Sequence, residues 1–410
     1  MATTRPTSRP AAAPAGTLAA ARLGRRRFLR LGATGAAAVG LAPLLAACGS
    51  DGGTTSSGGS SGGTSSGGST PGTAGAPSTG ATTAGTAGGT AAGGTETVSA
   101  AMGWIKNVEY AGSWIAISEG DYAASGIEPD YLAGGPNAPQ PPVAVAAGDA
   151  QIGIAANMQS LLDAIGEGND FVVFATQYQR SPGAVLSLAD KPVRTPEDLV
   201  GITFLGQEGV NEQIDSVLEI AGLPKDYEFV VAGFTPDPLV EGQGDAYSCF
   251  AVNQPITLEQ RGLVEGEDFV VTPWADLGLP SYANLFFAER SYLEEHRDAV
   301  VGFTRATILG WERNAQDPEV GARLAVEEFG ADLGLDLDQQ VRQNELQIPF
   351  MQSDLTEASG LMRLDPEAWD GPMAEAYLAS GREAMPSAAD TIDLTVLDEV
   401  YGDRTSLLEA

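Results

Sequence analysis

The feature that most constrains this chain is an alternation of strand and helix patterns that begins at Glu96. Apolar runs of strand length at 97–104, 127–132, 150–155 and 171–176 are separated by segments with helical periodicity. Parallel strands need crossover connections long enough to hold a helix, so this alternation is typical of a parallel α/β sheet.

A smaller copy of the same plan follows, and Thr195-Pro196 supplies the cap residue and first-turn proline with which a helix begins. A strand pattern near residue 285 leads back, and the remaining chain is mostly helical. We therefore expect lobe 1 at 96–188 and 286–410, including a helical C-terminal tail, and lobe 2 at 189–285. Two crossover strands would join the lobes, and since open α/β sheets bind ligands beyond the carboxyl ends of their strands, the ligand cleft is expected between them.

The first 95 residues carry export signals rather than fold patterns. Residues 1–47 combine an arginine-rich start, a short apolar run and the ending Leu-Ala-Ala before Cys48, which is typical of a secretory signal peptide. Arg-Arg-Arg-Phe-Leu at 25–29 resembles a twin-arginine signal, and Leu-Ala-Ala-Cys resembles a bacterial lipobox with Cys48 lipidated. An uncleaved membrane span is disfavoured because the run is short and rich in Ala and Gly.

Residues 48–95 consist almost entirely of Gly, Ser, Thr and Ala. Such a segment cannot bury enough apolar surface to fold, so a disordered tether is expected. The sequence therefore predicts an extracytoplasmic protein that is held to the outer face of the cell membrane by lipid on Cys48.

Charge and cysteine content exclude several classes of function. The chain has 22 basic and 54 acidic residues and a formal net charge of −32, which disfavours nucleic acid as a partner. Cys48 is assigned to lipid and Cys249 has no cysteine partner, so neither a disulfide framework nor a cysteine-rich metal site is expected. We expect a monomer with no metal and no cofactor.

Flat and polar side chains gather where predicted strands end. Aromatic rings can stack on a heterocycle, and amides offer both donors and acceptors to its edge. The candidate ligand-binding residues are Trp104, Asn107, Tyr110, Asn157, Gln159, Gln177, Tyr178, Asn211, Tyr247, Asn253 and Tyr282. The competing interpretation of Trp104 is core packing, that of Asn211 is a helix cap, and that of Tyr282 is filling of the hinge instead of closing over the ligand. Glu109 could bond a ligand amine, but in so acidic a chain it is expected to be solvated.

Several segments together resemble the type II substrate-binding proteins of bacterial ABC importers. They include "WIKNVEYAG", "VAAGDAQIGIA", "TPEDLVGITF", "EGQGDAYSCFAVNQPITLEQRG" and "RLDPEAWDG", in this order. The resemblance is nearest to the branch that binds thiamine-pyrimidine precursors and riboflavin, close to the nitrate, sulfonate and taurine binders. It implies a receptor that delivers a small heteroaromatic nutrient to an ABC permease and its ATPase, with Trp104 at the ring-stacking position and Asn107 at the edge-bonding position.

The departures from that family keep other ligands open. Pyrimidine binders tend to carry a glutamate in the second-lobe run, whereas Asn253 is followed here by Gln-Pro. Riboflavin therefore remains an alternative. Lys106 and Arg180 are the only basic residues at cleft turns, which weakens an anion-binding interpretation. Helix N-termini could still hold a small anion, so a receptor for nitrate, sulfonate or taurine also stays an alternative.

Non-transport functions are weaker alternatives. The pyrimidine synthase that shares the implied fold relies on a cysteine-rich run, a histidine and a cofactor-bearing lysine. This chain has no such run, and its single histidine, His296, lies in an acidic segment typical of a solvated helix face. No catalytic residue is predicted, and a surface lipoprotein without a cleft is the third alternative.

Overall fold

The computed structural model describes residues 95–135 and 138–408. The unit formed by residues 87–410 carries all the elements named below. The predicted signal peptide, Cys48 and nearly all of the predicted tether lie outside the described residues. Within the described ranges, no helix combines the length and the apolar character needed to cross a bilayer.

Two five-stranded sheets organise the fold. The first has the order β2-β1-β3-β10-β4 and the second has the order β7-β6-β8-β5-β9. The first sheet contains β1 (Glu96–Met102), β2 (Ile127–Leu132), β3 (Ile152–Ala155), β4 (Phe171–Tyr178) and β10 (Ala283–Glu289). The second contains β5 (Gly183–Leu188), β6 (Thr203–Gly206), β7 (Glu228–Val231), β8 (Ala246–Phe250) and β9 (Phe269–Pro273).

Each sheet is mostly parallel, with one antiparallel strand next to its edge. β1 pairs in parallel with β2 and β3, and β10 runs antiparallel between β3 and β4. In the second sheet β6 pairs in parallel with β7 and β8, and β5 runs antiparallel between β8 and β9. The two antiparallel strands are those that follow the crossings between lobes, which confirms the predicted two-lobed α/β fold.

The crossings lie a few residues earlier than the sequence predicts. Residues 183–188, placed by the prediction at the end of lobe 1, form β5 of the second sheet. The chain therefore crosses at 179–182 and returns before Ala283, where β10 begins. The apolar run at β5 has no feature that tells which sheet it joins, because every residue from Gly183 to Ser187 is buried.

Helices cover both sheets and form the tail. Lobe 1 carries α1 (Ala111–Ser118), α2 (Asp121–Ala124), α3 (Pro141–Ala146) and α4 (Met158–Gly166), and lobe 2 carries α5 (Val210–Ile220), α6 (Asp237–Val240) and α7 (Gln254–Glu259). The remaining helices are α8 (Arg290–Glu295), α9 (Arg297–Gln316), α10 (Pro318–Leu324), α11 (Leu337–Gln347), α12 (Asp354–Ser359), α13 (Pro366–Ala368), α14 (Ala374–Ala379), α15 (Ala388–Thr391) and α16 (Thr395–Tyr401). The segment with helical periodicity between β1 and β2 forms two helices, α1 and α2, and Gly120 between them has a φ of 76°.

The core of lobe 1 depends on a close crossing of α1 and α9. Ideal Cβ atoms would lie 2.4 Å from the Trp311 ring if built on Gly112, and 1.8 Å from the Gly112 carbonyl oxygen if built on Gly310. Only glycine allows this approach. The crossing places Trp114 in the core, stacked on Phe329 with ring centroids 4.5 Å apart, rather than in a ligand site.

The tail contacts both lobes. Arg382 makes a two-pronged ion pair with Asp163 of α4 in lobe 1, with N–O distances of 2.7 and 2.5 Å, and also donates to the Ser216 hydroxyl of α5 in lobe 2 at 2.9 Å. On α11, the Gln339 amide donates to Asn253 Oδ1 of lobe 2 at 2.9 Å. The tail therefore restrains the lobes at two separate points.

Candidate functional site

A cavity of about 570 Å³ lies where the carboxyl ends of the strands from both sheets meet. Its walls come from the segments after β1, β3, β6, β8 and β9, so it occupies the position expected of a ligand cleft in this fold. The residues that line it are Gly103, Trp104, Glu109, Gly135, Ala138, Pro139, Gln140, Val143, Ala156, Asn157, Ser160, Ser181, Gly183, Gln207, Glu208, Gly209, Val210, Asn211, Glu212, Gln213, Ser248, Cys249, Phe250, Asn253, Gln254 and Trp274.

Aromatic side chains form walls on both lobes. Trp104 follows β1 and is half-buried, and its ring meets the edge of Phe234 from lobe 2 with centroids 5.5 Å apart and planes at 77°. Phe234 is 46% exposed and does not itself line the cavity, so this contact joins the two lobes beside the lining residue Trp104. Trp274 and Phe250 line the cavity from lobe 2. Aromatic walls of this kind suit a flat apolar ring.

Four of the predicted ligand-binding residues line the cavity: Trp104, Asn157, Asn211 and Asn253. Asn157 also caps α4, because its Oδ1 accepts the backbone N–H of Gln159 at 2.9 Å. Asn211 lies in the first turn of α5 and is half-buried, and no side-chain hydrogen bond caps that helix. The cap alternative for Asn211 is therefore wrong, since Gly209 precedes the helix.

The other predicted residues of lobe 1 lie behind the wall. Asn107 Oδ1 accepts the backbone N–H of Glu109 at 3.0 Å, and the Tyr110 hydroxyl accepts the backbone N–H of Trp104 at 3.0 Å. Gln177 Nε2 donates to the Glu109 carbonyl at 2.8 Å. These side chains are buried and hold the turn that carries Trp104. Their geometry therefore favours a supporting role for Asn107 and Tyr110 over direct contact with a ligand.

A second group of predicted residues also packs away from the cavity. The Tyr178 hydroxyl donates to Gln347 Oε1 at 2.6 Å, and Gln159 is buried with its Oε1 unpaired within the described structure. The Tyr247 hydroxyl donates to the Gly233 carbonyl at 2.7 Å, and the Tyr282 hydroxyl accepts the backbone N–H of Asp365 at 3.0 Å. Tyr282 thus fills the region of the return crossing, as its packing alternative anticipated.

Glu109 is the residue that the sequence misjudges most. It was expected to be solvated, but it is 1% exposed and lines the cavity. Its Oε1 accepts Asn284 Nδ2 at 3.0 Å. Burial raises the pKa of this carboxyl to about 7, against the opposing effect of hydrogen bonds from Asn284 and Tyr110.

The polar groups of the cavity wall are acids and amides. Among the described lining residues there is no lysine, arginine or histidine, whereas Glu109, Glu208 and Glu212 are present. Lys106 is not a lining residue, and Arg180 lies over the Phe350 ring, 5.0 Å from its centroid. Such a wall offers no charge-assisted donor from a cationic side chain to an anion.

The cysteine and the histidine of the described chain are poorly placed for catalysis. Cys249 lines the cavity but is buried, and burial raises the pKa of its thiol, which suppresses the reactive thiolate. His296 stacks on Tyr292 and bonds Glu96 at 2.8 Å, and it does not line the cavity. No group of three or more His, Cys, Asp or Glu side chains in the described ranges could hold a metal ion.

Trp274, Gln207 and Gln254 are lining residues that sequence reasoning missed. Trp274 directly follows β9, as Trp104 follows β1 after one glycine, so its position at a strand end was a usable signal. Gln207 follows β6 in the same way, and its Nε2 donates to Tyr247 at 3.0 Å. Gln254 begins α7, and its Oε1 accepts the Phe250 backbone N–H at 2.9 Å.

Comparison with known proteins identifies relatives of two kinds. A formylaminopyrimidine-binding protein from Halalkalibacterium halodurans is 30% identical over 233 residues, which cover 55% of this chain and 68% of that protein. Riboflavin-binding protein RibY from Chloroflexus aurantiacus is 28% identical over 289 residues, which cover 67% of this chain and 78% of that protein.

Solved structures show the same fold at low sequence identity. The ligand-binding component of an ABC-type import system from Staphylococcus aureus superposes with a TM-score of 0.55 and 10% identity, covering 74% of this chain and 99% of that chain. The family model described as NMT1/THI5 like matches residues 107–320, from the turn behind Trp104 to α10. This chain belongs to the NMT1/THI5-like family and has the fold of the periplasmic binding proteins.

Proposed function

We propose that this chain is the extracytoplasmic solute receptor of an ABC importer, and that it binds a small heteroaromatic nutrient in the cleft between its lobes. The observation that carries the proposal is the cavity itself, which is lined by Trp104 from lobe 1, by Trp274 from lobe 2 and by amide side chains of both lobes. An aromatic contact adds about 0.5–1.5 kcal/mol beyond the burial of area, and amides match ring nitrogens and exocyclic groups.

The relatives support this ligand class. One is named for a formylaminopyrimidine and the other for riboflavin, and both names denote binding proteins. The absence of a cationic side chain among the described lining residues disfavours nitrate, taurine and sulfonates. A pyrimidine-like nutrient is our first candidate, and no catalytic role is proposed for the chain.

Riboflavin is the second candidate because RibY aligns with more of this chain than the pyrimidine binder does, 67% against 55%. Its ring system is also flat and heteroaromatic, so the two tryptophan walls suit it equally well. A direct comparison of the two ligands is therefore part of the test.

Membrane attachment and transport complete the proposal. We infer that lipid on Cys48 anchors the chain outside the cell membrane and that the ligand-bound lobes dock on a permease driven by its ATPase. Replacing Cys48→Ala should release the chain from the membrane fraction while leaving ligand binding unchanged. Retention of the Cys48→Ala chain in that fraction would refute the lipid anchor.

The ligand class is tested by thermal shift of the full chain with thiamine pyrimidines, riboflavin, nucleobases, nitrate, taurine and alkanesulfonates. A ligand at 100 times its dissociation constant stabilises the folded state by about 2.7 kcal/mol, which raises the unfolding midpoint visibly. We expect a shift with one heterocycle. A shift only with anions would overturn the proposal, and no shift with any compound would favour a surface role without transport.

A further inference from the structure

Glu109 stands on a turn that several buried amides hold in place. Gln340 Oε1 accepts the Val108 backbone N–H at 2.8 Å, and Gln347 Nε2 donates to the Val108 carbonyl at 2.8 Å. Gln177 Nε2 donates to the carbonyl of Glu109 itself. Contacts from two other parts of the chain, 68 to 239 residues away, therefore fix the backbone that carries the Glu109 side chain.

The carboxyl has donors but no counter-charge. Asn284 supplies an N–H to Oε1, and Tyr110 is the other hydrogen-bond partner that lowers its pKa. In the described part of the chain no salt bridge involves Glu109. The other titratable groups acting on this site are the hydroxyls of Tyr110 and Tyr178, and the pKa of each is raised by burial, so both stay neutral.

Hydrogen-bond acceptors outnumber donors around Glu109 and Asn284. Asn284 has an unusual φ of 51°, and its Oδ1 is buried without a partner among the described residues. A buried acceptor that lacks a donor destabilises the fold unless another molecule completes it. The Glu109 carboxyl therefore lines the cavity, and Asn284, whose oxygen is unpaired in the described structure, lies directly behind it at hydrogen-bond distance.

We propose that Glu109 is the specificity-determining residue of the cleft and that it accepts N–H donors from an amino-substituted heterocycle. The donors are an exocyclic amino group, a protonated ring nitrogen, or both. An oxo group at the same position would set its lone pairs against the carboxylate, which has no proton to donate. Because burial raises the pKa of Glu109 to about 7, this discrimination is expected at about pH 8 and above, and the two probes are compared there. This inference rests on the proposed function, and it deepens that function by naming the ligand's recognised edge.

The charges of the described lining residues have the same consequence. With Glu208 and Glu212 also on the lining, a ligand that carries a negative charge meets three carboxyl groups and no cationic side chain among the described lining residues. A neutral or cationic amino heterocycle gains from the same arrangement. Recognition of the amino edge and exclusion of anions therefore come from one set of residues.

The test compares two probes by calorimetric titration of the full chain: 4-amino-5-hydroxymethyl-2-methylpyrimidine and its 4-oxo counterpart. The wild-type chain should prefer the amino compound by roughly 5- to 150-fold, the range that corresponds to one unpaired buried group. Glu109→Gln keeps the shape but can donate to an oxo group, so it should bring the two affinities within a few-fold or reverse their order.

Controls separate this inference from the proposed function. Glu128→Gln removes one charge from an exposed position of β2 and should keep the preference. Thermal unfolding of Glu109→Gln checks that it folds. If the wild-type chain binds both pyrimidines equally, if Glu109→Gln retains the preference, or if riboflavin alone binds and is unaffected by that change, the inference is refuted while the receptor function survives. If no heterocycle binds, both fail.

Discussion

Glu109 links the stability of the unliganded chain to pH, and Glu109→Gln should remove that link. Burial raises the pKa of the carboxyl from 4.5 to about 7, so between these values the folded chain keeps a proton that the unfolded chain has lost. The stabilisation is complete below the unfolded pKa and is lost as the pH rises through the folded one. Glutamine has no proton to lose.

The magnitude follows from the size of the shift. One pKa unit corresponds to about 1.4 kcal/mol, so a shift from 4.5 to about 7 corresponds to a free-energy difference of about 3 kcal/mol. At acidic pH, Glu109→Gln and the wild-type chain should have similar free energies of unfolding. Above about pH 8 the variant should be the more stable by about 3 kcal/mol, because it no longer buries a carboxylate.

Urea unfolding at pH values from about 4.5 to about 8 measures this difference directly, since the linear extrapolation gives the free energy of unfolding at each pH. The difference between the two chains is the useful quantity, because the other acidic residues contribute equally to both. Glu128→Gln, at an exposed site, should follow the wild-type curve. Parallel curves for the wild-type and Glu109→Gln chains would refute the reasoning.

Substitutions at four further positions test the cleft and the core. Trp104→Ala should weaken ligand binding strongly without unfolding the chain, whereas Trp104→Phe keeps a ring and should lose less; equal affinities would remove this residue from the site. Asn253→Ala should cost roughly 1–3 kcal/mol of binding free energy if its amide is paired in a dry cleft, and no change would assign recognition to lobe 1. Phe234→Ala removes the ring contact with Trp104, which is worth about 0.5–1.5 kcal/mol, so the ligand should dissociate faster in a stopped-flow experiment. An unchanged dissociation rate would show that this contact does not hold the lobes closed over the ligand. Gly310→Ala should lower the free energy of unfolding by about 1–3 kcal/mol or more, because its Cβ would meet the Gly112 carbonyl; an unchanged free energy of unfolding would contradict that packing.

The fold is predicted well from the sequence because the apolar pattern of a strand can be recognised within a short stretch of residues. The bounds of β2 and β4 agree with the predicted apolar runs within two residues, although both are edge strands of the first sheet. β4 is nevertheless buried along its whole length, which is why its run is continuously apolar. The sequence does not show where the chain crosses into lobe 2. An all-buried strand such as β5 pairs equally well with either sheet, so only tertiary structure assigns it.

The site is predicted less completely, because the sequence does not show in which direction a side chain at a strand end extends. Residues that follow a strand end reach the cleft if they extend forward, as Trp104 and Trp274 do, but Tyr178 lies within its strand and points to Gln347 of the tail. The burial of Glu109 depends on Asn284, which is 175 residues away. No local pattern around Glu109 contains that information.

The central claim is that the cleft binds one small heteroaromatic molecule, and calorimetric titration of the full chain tests it most directly. Aminopyrimidine, riboflavin and taurine should be titrated into the wild-type chain and into Trp104→Ala. We predict saturable binding of one heterocycle per chain that Trp104→Ala weakens strongly, and no binding of taurine. Tight binding of taurine, or heterocycle binding that Trp104→Ala leaves unchanged, would contradict the account.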